Sequence, residues 1–324
     1  MKALVCRALA PNFHGVAVED RPEPVPKQRE VLVRMRAASV NFPDVLMAEG
    51  KYQFKPDLPF VMGMEGAGEI AALGPETEGF RIGDKVLVGA RAGTMAEFVA
   101  APVAGVRPLP QGLSFAEGAA HSTAMLTAYV SLVRLGQLKD IDTILVHGAA
   151  GGVGFAAVKL AQKLGARVIA TASSEEKRSF LQDTANVQFV VPPDERLRDA
   201  VMQIRPNDGV DVCYDPVGGD VFDRSVRCMR FGGRYLIVGF ASGRIPTINA
   251  NYPLIKGFSL IGVRAGEYGR TFPALGKENI QAIDRLAAEG LKMHVGKRFP
   301  LADGKAALRE LSERRAIGKV VVEM

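Results

Sequence analysis

A glycine-rich segment has the residue types and spacing best suited to binding chemistry. Gly151, Gly152 and Gly154 follow an apolar run at residues 143–147, and a helical pattern begins at residues 152–164. Glycines let a phosphate approach the backbone, and the free N–H groups and positive dipole end of a helix attract anions. The last glycine lets the helix pack closely on its strand. The segment therefore predicts a pyrophosphate site for a dinucleotide.

The fit of this segment to the dinucleotide motif is partial, because Ala149 occupies the place of the first glycine. A second strand pattern at residues 167–171 completes a strand-helix-strand unit, the context in which the motif has meaning. The alternative is a glycine-rich turn that binds nothing.

The end of the second strand indicates which dinucleotide is bound. An NAD site uses an acidic residue there, but Ser173 lies 24 residues after Ala149 at an uncharged strand end. Ser173 and Ser174 can donate hydroxyl hydrogens to a 2′-phosphate, and Lys177 adds a cation one turn into the next helix. These residues predict NADPH. The alternative is a solvated helix face on which one of the two serines is the N-cap.

The first part of the chain predicts an irregular, barrel-like β-rich domain, because short strand patterns alternate with glycine and proline and not with helices. These patterns lie at residues 2–7, 30–36, 67–73 and 85–88.

The second part alternates strands with helices, which predicts a doubly wound parallel sheet of the Rossmann type in an α/β protein. Its strand patterns lie at residues 143–147, 167–171, 188–191, 210–214, 233–238 and 258–263. Helical patterns at 279–289 and 305–314 and an apolar strand at 319–323 follow. Since this last strand is similar to those of the first part, we expect a domain of residues 1–122 completed by 265–324, and a dinucleotide-binding domain of residues 123–264.

Composition limits the class of protein. The chain of 324 residues has a formal charge of +6, but its basic residues are interspersed with acids, so no nucleic-acid surface is expected. No apolar run reaches about 18 residues and no leader pattern is present, so neither a membrane span nor a signal peptide is expected. Cys6, Cys213 and Cys228 are scattered, which suits a reducing compartment. We expect a cytoplasmic protein.

Six motifs between residues 38 and 219 carry a family resemblance that covers nearly the whole chain. They are ASVNFPD at 38–44, GMEGAG at 63–68, GDKV at 83–86, TAY at 127–129, AAGGVG at 149–154 and DPVGG at 215–219. With them the chain resembles the quinone oxidoreductase (zeta-crystallin-like) branch of the zinc-independent medium-chain dehydrogenases and reductases.

The resemblance implies a GroES-like first domain, a Rossmann domain, an active-site cleft between them, and a homodimer or homotetramer. It implies that Asn41 and Tyr52 face the substrate. It also implies that Thr127, Val217, Phe240 and the segment around Val263 lie near the nicotinamide. The glycine-rich segment itself supplies the other expected cofactor-binding residues, Ala150, Gly151, Gly152 and Val153. The chain departs from its relatives at Pro193, where they often have tyrosine, and at Arg264 and Ala265, where they have aromatic residues. Arg264 is a candidate for a cofactor phosphate, for an anionic substrate group, or for a plain surface residue.

The resemblance also bears on metal binding. Zinc-dependent relatives hold their catalytic metal with a cysteine and a histidine at the positions of Asn41 and Met64, and neither residue here suits zinc. We therefore expect no metal, and without such a Lewis acid alcohol oxidation is disfavoured. We interpret His147, at the end of the first Rossmann strand, as a packed, hydrogen-bonded residue. The remaining histidines are dispersed, at positions 14, 121 and 294.

Three functions stay open on the sequence. The first is hydride transfer from NADPH to a quinone, with Asn41 and Tyr52 as hydrogen-bond donors to the acceptor oxygen. The second is reduction of the carbon-carbon double bond of an enone or enoyl thioester. The third is a nucleotide-binding structural or regulatory protein of the crystallin type.

Overall fold

The computed structural model describes residues 1–206 and 208–324. They form two compact units. Unit 1 comprises Met1–Ser122 and Arg285–Met324, and unit 2 comprises Thr123–Asp284. No helix in the described residues is both long enough and apolar enough to cross a membrane.

The strands, numbered in chain order, are β1 (Lys2–Cys6), β2 (Val16–Asp20), β3 (Glu30–Val40), β4 (Phe60–Val61), β5 (Glu65–Leu73), β6 (Lys85–Gly89), β7 (Phe98–Pro102), β8 (Val106–Pro108), β9 (Thr143–Val146), β10 (Arg167–Thr171), β11 (Phe189–Val191), β12 (Val210–Asp215), β13 (Met229–Ile237), β14 (Ser259–Gly262), β15 (Val295–Pro300) and β16 (Lys319–Glu323). The helices are α1 (Phe42–Ala48), α2 (Phe115–Tyr129), α3 (Gly152–Lys163), α4 (Glu175–Asp183), α5 (Leu197–Ile204), α6 (Gly219–Ser225), α7 (Asn251–Lys256), α8 (Ala265–Thr271), α9 (Pro273–Ala288) and α10 (Gly304–Ser312).

Unit 1 is the β-rich part. Its larger sheet has the strand order β15-β16-β3-β5-β6-β8, with β7 also paired to β3, and a smaller sheet has the order β2-β1-β4. The pairs are antiparallel except β15 with β16. The closing strand β16 pairs with β3, with Val320 opposite Val40, and so places the end of the chain in unit 1.

Unit 2 is the predicted doubly wound parallel sheet. Its strand order is β11-β10-β9-β12-β13-β14, and each neighbouring pair is parallel. The order reverses direction between β9 and β12, and in such sheets ligands bind at the carboxyl ends of the strands beside that point. The central strands are buried throughout, as the uninterrupted apolar run of β9 indicates.

Residues 265–284, which the sequence assigns to the first domain, cluster with unit 2 in the structure. One contact that joins them to unit 2 is polar and links α9 to the π-helical turn Val130–Leu135 that follows α2. The Arg134 guanidinium donates to Asn279 Oδ1 at 2.7 Å and to Glu278 Oε2 at 2.8 Å. Such a contact between distant segments leaves no trace in hydrophobic periodicity.

Candidate functional site

The predicted cofactor residues of unit 2 gather at one edge of its sheet. β9 leads into Gly148, β12 into Val217, β13 into Phe240 and β14 into Val263. Because these strands are parallel and adjacent, their carboxyl ends lie along the same edge. Four segments that are far apart in sequence thus converge where a dinucleotide is expected.

The glycine turn, residues 148–154, begins with a residue that the sequence-based motif did not include. Gly148 has a φ of +56°, a left-handed conformation that favours glycine, and its carbonyl accepts the Gly151 N–H at 2.9 Å. Gly148 thus makes the tight turn expected one position later, at Ala149. A β-carbon on Gly154 would overlap the Gly148 carbonyl and lie 2.9 Å from Ala149 Cα. Gly154 therefore allows α3 to pack against the turn, as predicted.

The amino terminus of α3 fits an anionic group. Its N-cap is Gly151, so no side chain satisfies the first N–H groups of the helix. A β-carbon at Gly151 would approach the Gly148 oxygen at 3.3 Å, on a turn that is already closely folded. The free N–H groups of this helix of 12 residues can donate hydrogen bonds to a pyrophosphate, and the positive end of the helix dipole attracts its negative charge.

Val217 and Phe240 lie on two loops that the backbone joins. The Val217 carbonyl accepts the Ser242 N–H at 2.9 Å, and the Pro216 carbonyl accepts the Ala241 N–H at 3.0 Å. A β-carbon on Gly218 would lie 2.8 Å from the Phe240 ring, and one on Gly148 would lie 3.2 Å from Val217 Cγ2. The glycine turn, Val217 and Phe240 are therefore close neighbours within unit 2.

The end of β10 carries the residues expected to select the cofactor. Ser174 is the N-cap of α4, and its Oγ accepts the Lys177 N–H at 3.3 Å. The hydroxyl hydrogen of Ser174 stays available to a ligand, and the side chain of Ser173 is exposed. The Arg178 guanidinium is already engaged, since it donates to the Ala172 carbonyl at 3.2 Å and to Glu175 Oε2 at 2.6 Å.

Three other predicted cofactor residues have definite places. Thr127 lies on α2, and its hydroxyl donates to the Thr123 carbonyl at 2.7 Å. Val263 follows β14, and its N–H donates to the Ile237 carbonyl at 2.8 Å. Arg264 is exposed and lies 3.7 Å from a Glu267 carboxylate oxygen. The structure thus leaves the Arg264 guanidinium at the surface of unit 2.

Asn41, in unit 1, belongs to a buried polar network that also contains Ser39, Glu65 and Lys319. Its Nδ2 donates to Glu65 Oε1 at 2.9 Å and to Ser39 Oγ at 3.3 Å, and its Oδ1 accepts from Lys319 Nζ at 2.7 Å. Lys319 Nζ and Ser39 Oγ also donate to Glu65 Oε1, at 3.1 and 2.6 Å. We call these four residues the Asn41 network.

The Asn41 network fixes the orientation of the amide. Lys319 can only donate and the Glu65 carboxylate accepts, so the amide oxygen must face Lys319 and the amide nitrogen must face Glu65. Both Nδ2 hydrogens are then used inside the protein. Glu65 lies within a motif that the sequence singled out, but Lys319 had no local signal, since it begins an otherwise apolar strand.

Asp44 lies beside this network and is fully buried. One of its carboxylate oxygens accepts the Asn41 N–H at 2.8 Å, which closes the first turn of α1. Burial raises the pKa of the Asp44 carboxyl to about 7, although the Asn41 N–H and the Lys319 charge oppose that change. Asp44 therefore titrates near neutral pH.

Tyr52 is half-buried and packs against the core of unit 1, which includes Val45, Met47 and Met62. Its hydroxyl has no hydrogen-bond partner among the described residues, in contrast to the amide of Asn41. Met64, at a position where zinc-dependent relatives have histidine, packs against the same core.

His147 is fully buried at the end of β9, and its Nδ1 lies 3.0 Å from Thr171 Oγ1. Burial lowers its pKa despite the nearby Asp215 carboxylate, so the ring is neutral at physiological pH. This packed state agrees with our interpretation of the residue. Within residues 1–206 and 208–324, no group of three or more histidine, cysteine, aspartate or glutamate side chains is placed to hold a metal ion.

Comparison with known families follows the division into two units. Residues 27–111 match the alcohol dehydrogenase GroES-like domain. Residues 152–281 match the family described as zinc-binding dehydrogenase.

Individual proteins match over most of the chain. The quinone oxidoreductase-like protein 2 homolog of Nematostella vectensis is 35% identical over 297 residues, which cover 90% of this chain and 81% of that protein. Prostaglandin reductase-3 of Bos taurus is 37% identical over 246 residues, or 75% of this chain and 64% of that protein. The quinone oxidoreductase of Thermus thermophilus, solved alone and with NADPH, has a TM-score of 0.85 and 31% identity, with both chains fully covered.

Proposed function

Since the chain belongs to the medium-chain dehydrogenase/reductase family, among its quinone oxidoreductase-like members, we propose that it reduces a quinone or a related conjugated carbonyl compound with NADPH. The observation that carries the proposal is the edge of the unit 2 sheet, where the glycine turn, Val217 and Phe240 are close together. Bound NADPH supplies a hydride, and with one solvent proton a quinone becomes a hydroquinone.

The cofactor is held along this edge from one strand end to the next. The pyrophosphate lies against residues 150–153, where the Gly152 and Val153 N–H groups bind it at the amino terminus of α3. Ser173, Ser174 and Lys177 bind the 2′-phosphate. Val217, Phe240 and Val263 provide apolar contacts for the nicotinamide. Thr127 and Arg264 are the two further residues that contact the cofactor. The absence of an acidic residue at the end of β10 supports NADPH over NADH, because a carboxylate there would repel the phosphate.

The acceptor oxygen gains negative charge during reduction and needs a hydrogen-bond donor. The Tyr52 hydroxyl suits this role, since it has no partner in the described part of the chain. Asn41 suits an orienting role, because both of its amide hydrogens are held by Glu65 and Ser39. The residue types at positions 41 and 64 support a reaction without zinc.

A second function is supported by the similarity to prostaglandin reductase-3, whose name indicates reduction of a prostaglandin. In that case the hydride would go to the β-carbon of an enone or enoyl thioester and a proton to the α-carbon. Both reactions use the same edge of unit 2, and they differ in the acceptor.

We further propose that the chain forms a homodimer or homotetramer. Among the described residues, β14 is the last strand of the six-stranded sheet, and three apolar side chains near it are exposed: Phe231 by 80%, Leu254 by 80% and Ile255 by 71%. The Phe231 ring lies against Gly257, directly after α7, so these side chains share one region. Exposed apolar patches of this kind mark interaction surfaces. A cytoplasmic location, expected from the scattered cysteines, stays a prediction.

The deciding experiment measures oxidation of NADPH and of NADH by the purified protein with quinones, enones and enoyl thioesters. We expect turnover with quinones, a preference for NADPH, and a primary isotope effect in single turnovers with deuterated NADPH. Turnover of enones or enoyl thioesters alone would favour the second function. NADPH binding without turnover of any acceptor would favour the structural or regulatory alternative.

A further inference from the structure

Asp215 has an unusually complete set of partners for a carboxylate at the end of a strand. It is 2% exposed and ends β12. Its Oδ1 accepts the N–H groups of Val217 at 2.8 Å and Gly218 at 2.9 Å, and its Oδ2 accepts the Tyr235 hydroxyl at 2.7 Å. Both carboxylate oxygens are thus used, one on the loop of residues 216–219 and the other on β13.

Tyr235 anchors this carboxylate from inside the sheet. Its ring is fully buried and lies edge-on to Phe222, with a centroid distance of 4.9 Å. Its hydroxyl also lies 3.0 Å from Ser225 Oγ on α6. Burial raises the pKa of Tyr235 well above its usual range, so the hydroxyl keeps its hydrogen and donates it.

The 216–219 loop needs such an anchor, because its backbone is not regular. Gly218 has φ +65° and ψ −155°, and Gly219 has φ +59°, conformations that favour glycine and that no repeating structure maintains. The two N–H groups bound by Asp215 belong to the peptide bonds on either side of Val217, directly before this turn. Charge-assisted hydrogen bonds in a dry environment are about twice as strong as neutral ones, so the carboxylate fixes the position of Val217.

We infer that Asp215 and Tyr235 are positioning residues that set the place of Val217 and, through the joined loops, of Phe240 against the nicotinamide. The inference rests on the proposed NADPH-dependent function. In this arrangement neither side chain contacts the reacting atoms. They act through the backbone of the 216–219 loop, and the Ser242 and Ala241 hydrogen bonds carry the constraint to the second loop.

The chain offers a matched control. Tyr214 is a fully buried tyrosine on the neighbouring strand β12, and its hydroxyl makes no hydrogen bond to Asp215. Tyr235→Phe and Tyr214→Phe therefore remove the same atom from equally buried rings. Only the first removes a partner of Asp215. Asp215→Asn is a second variant, which keeps an acceptor oxygen for the two N–H groups and loses the charge.

The test compares two ligands. NADPH contains the nicotinamide, whereas 2′,5′-ADP contains only the adenosine end with its 2′-phosphate. We expect Tyr235→Phe to weaken NADPH binding about tenfold, as for the loss of one hydrogen bond to a charged group, and Asp215→Asn to weaken it further. Binding of 2′,5′-ADP by calorimetry should stay within about twofold of wild type in both variants, and Tyr214→Phe should bind both ligands like wild type.

The outcomes separate this inference from the function on which it rests. Equal loss of both ligands in Tyr235→Phe would show that the residue only stabilises the domain, and unchanged binding of both would show that the loop does not meet the nicotinamide. Either result overturns the inference alone. If the wild-type protein binds 2′,5′-ADP and NADPH equally weakly or not at all, the proposed function fails, and the inference fails with it.

Discussion

The buried carboxyl of Asp44 makes the free energy of unfolding depend on pH, because its ionised form is disfavoured in the folded protein. An aspartate has a pKa of about 3.9 in an unfolded chain, whereas burial raises that of Asp44 to about 7 in the folded protein. The folded state therefore binds the proton more tightly. The stabilisation is fully present below about pH 4 and is lost as pH rises through about 7.

Asp44→Asn removes this term and keeps an acceptor for the Asn41 N–H. We expect the free energy of unfolding of the variant, relative to wild type, to increase between about pH 5 and about pH 8. The increase is at most about 2.5 kcal/mol, at about 1.4 kcal/mol per pH unit below pH 7. Urea unfolding of both proteins at the two pH values measures it. A difference that does not change with pH would contradict the raised pKa.

Substitutions of Tyr52 and Asn41 are expected to change different properties, the rate of hydride transfer and the stability of the protein, respectively. Tyr52→Phe should slow single-turnover hydride transfer by roughly tenfold to a hundredfold, because a donor to the acceptor oxygen is lost, and leave the unfolding midpoint unchanged. Asn41→Ala should lower the free energy of unfolding by about 1–3 kcal/mol, because Glu65 and Lys319 lose a buried partner. Tyr252→Phe, at a half-buried tyrosine of the unit 2 core, is the control for loss of a phenol. An unchanged rate in Tyr52→Phe would reject the donor role.

Lys177 is expected to select NADPH through its charge. Lys177→Ala should raise the KM for NADPH about tenfold and leave that for NADH nearly unchanged, since a charged hydrogen bond contributes roughly 1.5–3 kcal/mol. Steady-state kinetics with both cofactors test this. Lys159→Ala on α3 removes the same charge from the same unit and should change neither KM appreciably. Equal effects of Lys177→Ala on NADPH and NADH would refute contact with the 2′-phosphate.

At the scale of elements, the function depends on how closely α3 packs on the glycine turn. Gly154→Ala places a methyl group against the Gly148 carbonyl, so the helix must move away from the turn. We expect NADPH affinity to fall at least tenfold and the protein to unfold at lower urea concentration. Gly89→Ala is the control, because a β-carbon there would lie 3.9 Å from its nearest neighbour, an ordinary contact. NADPH titration and urea unfolding of the two variants test this prediction. Unchanged NADPH affinity in Gly154→Ala would contradict the proposal that the glycine turn binds the pyrophosphate.

At the scale of the whole molecule, self-association should depend on the exposed apolar region beside β14. Leu254→Asp puts a charge into that region, which should shift the molar mass measured by light scattering toward that of one chain. Ile141→Asp is the matched control, since Ile141 is 81% exposed elsewhere in unit 2. A monomeric wild-type protein, or identical masses for all three proteins, would reject this surface as the interface.

Local patterns in the sequence predicted the two kinds of sheet and several of their elements. Apolar runs and helical periodicity predicted β10 and β16 to the residue and α3 to within one residue, because periodic burial is visible without tertiary contacts. Residue types at the end of β10 predicted NADPH as the cofactor, since the absence of an acidic residue there is visible in the local sequence. The six motifs predicted the family.

Only the tertiary structure decided how the functional groups are held. Lys319 reaches Asn41 across 278 positions of sequence, and Tyr235 reaches Asp215 from a neighbouring strand. The local sequence around Lys319 or Tyr235 does not indicate that the polar atom of the side chain is buried and hydrogen-bonded to a partner. The tight turn expected at Ala149 lies at Gly148 instead. Its position depends on the contact between Gly154 of α3 and the Gly148 carbonyl, which forms only in the folded chain. Partners that meet only through folding have no periodic signature, so their roles emerge from the packed structure alone.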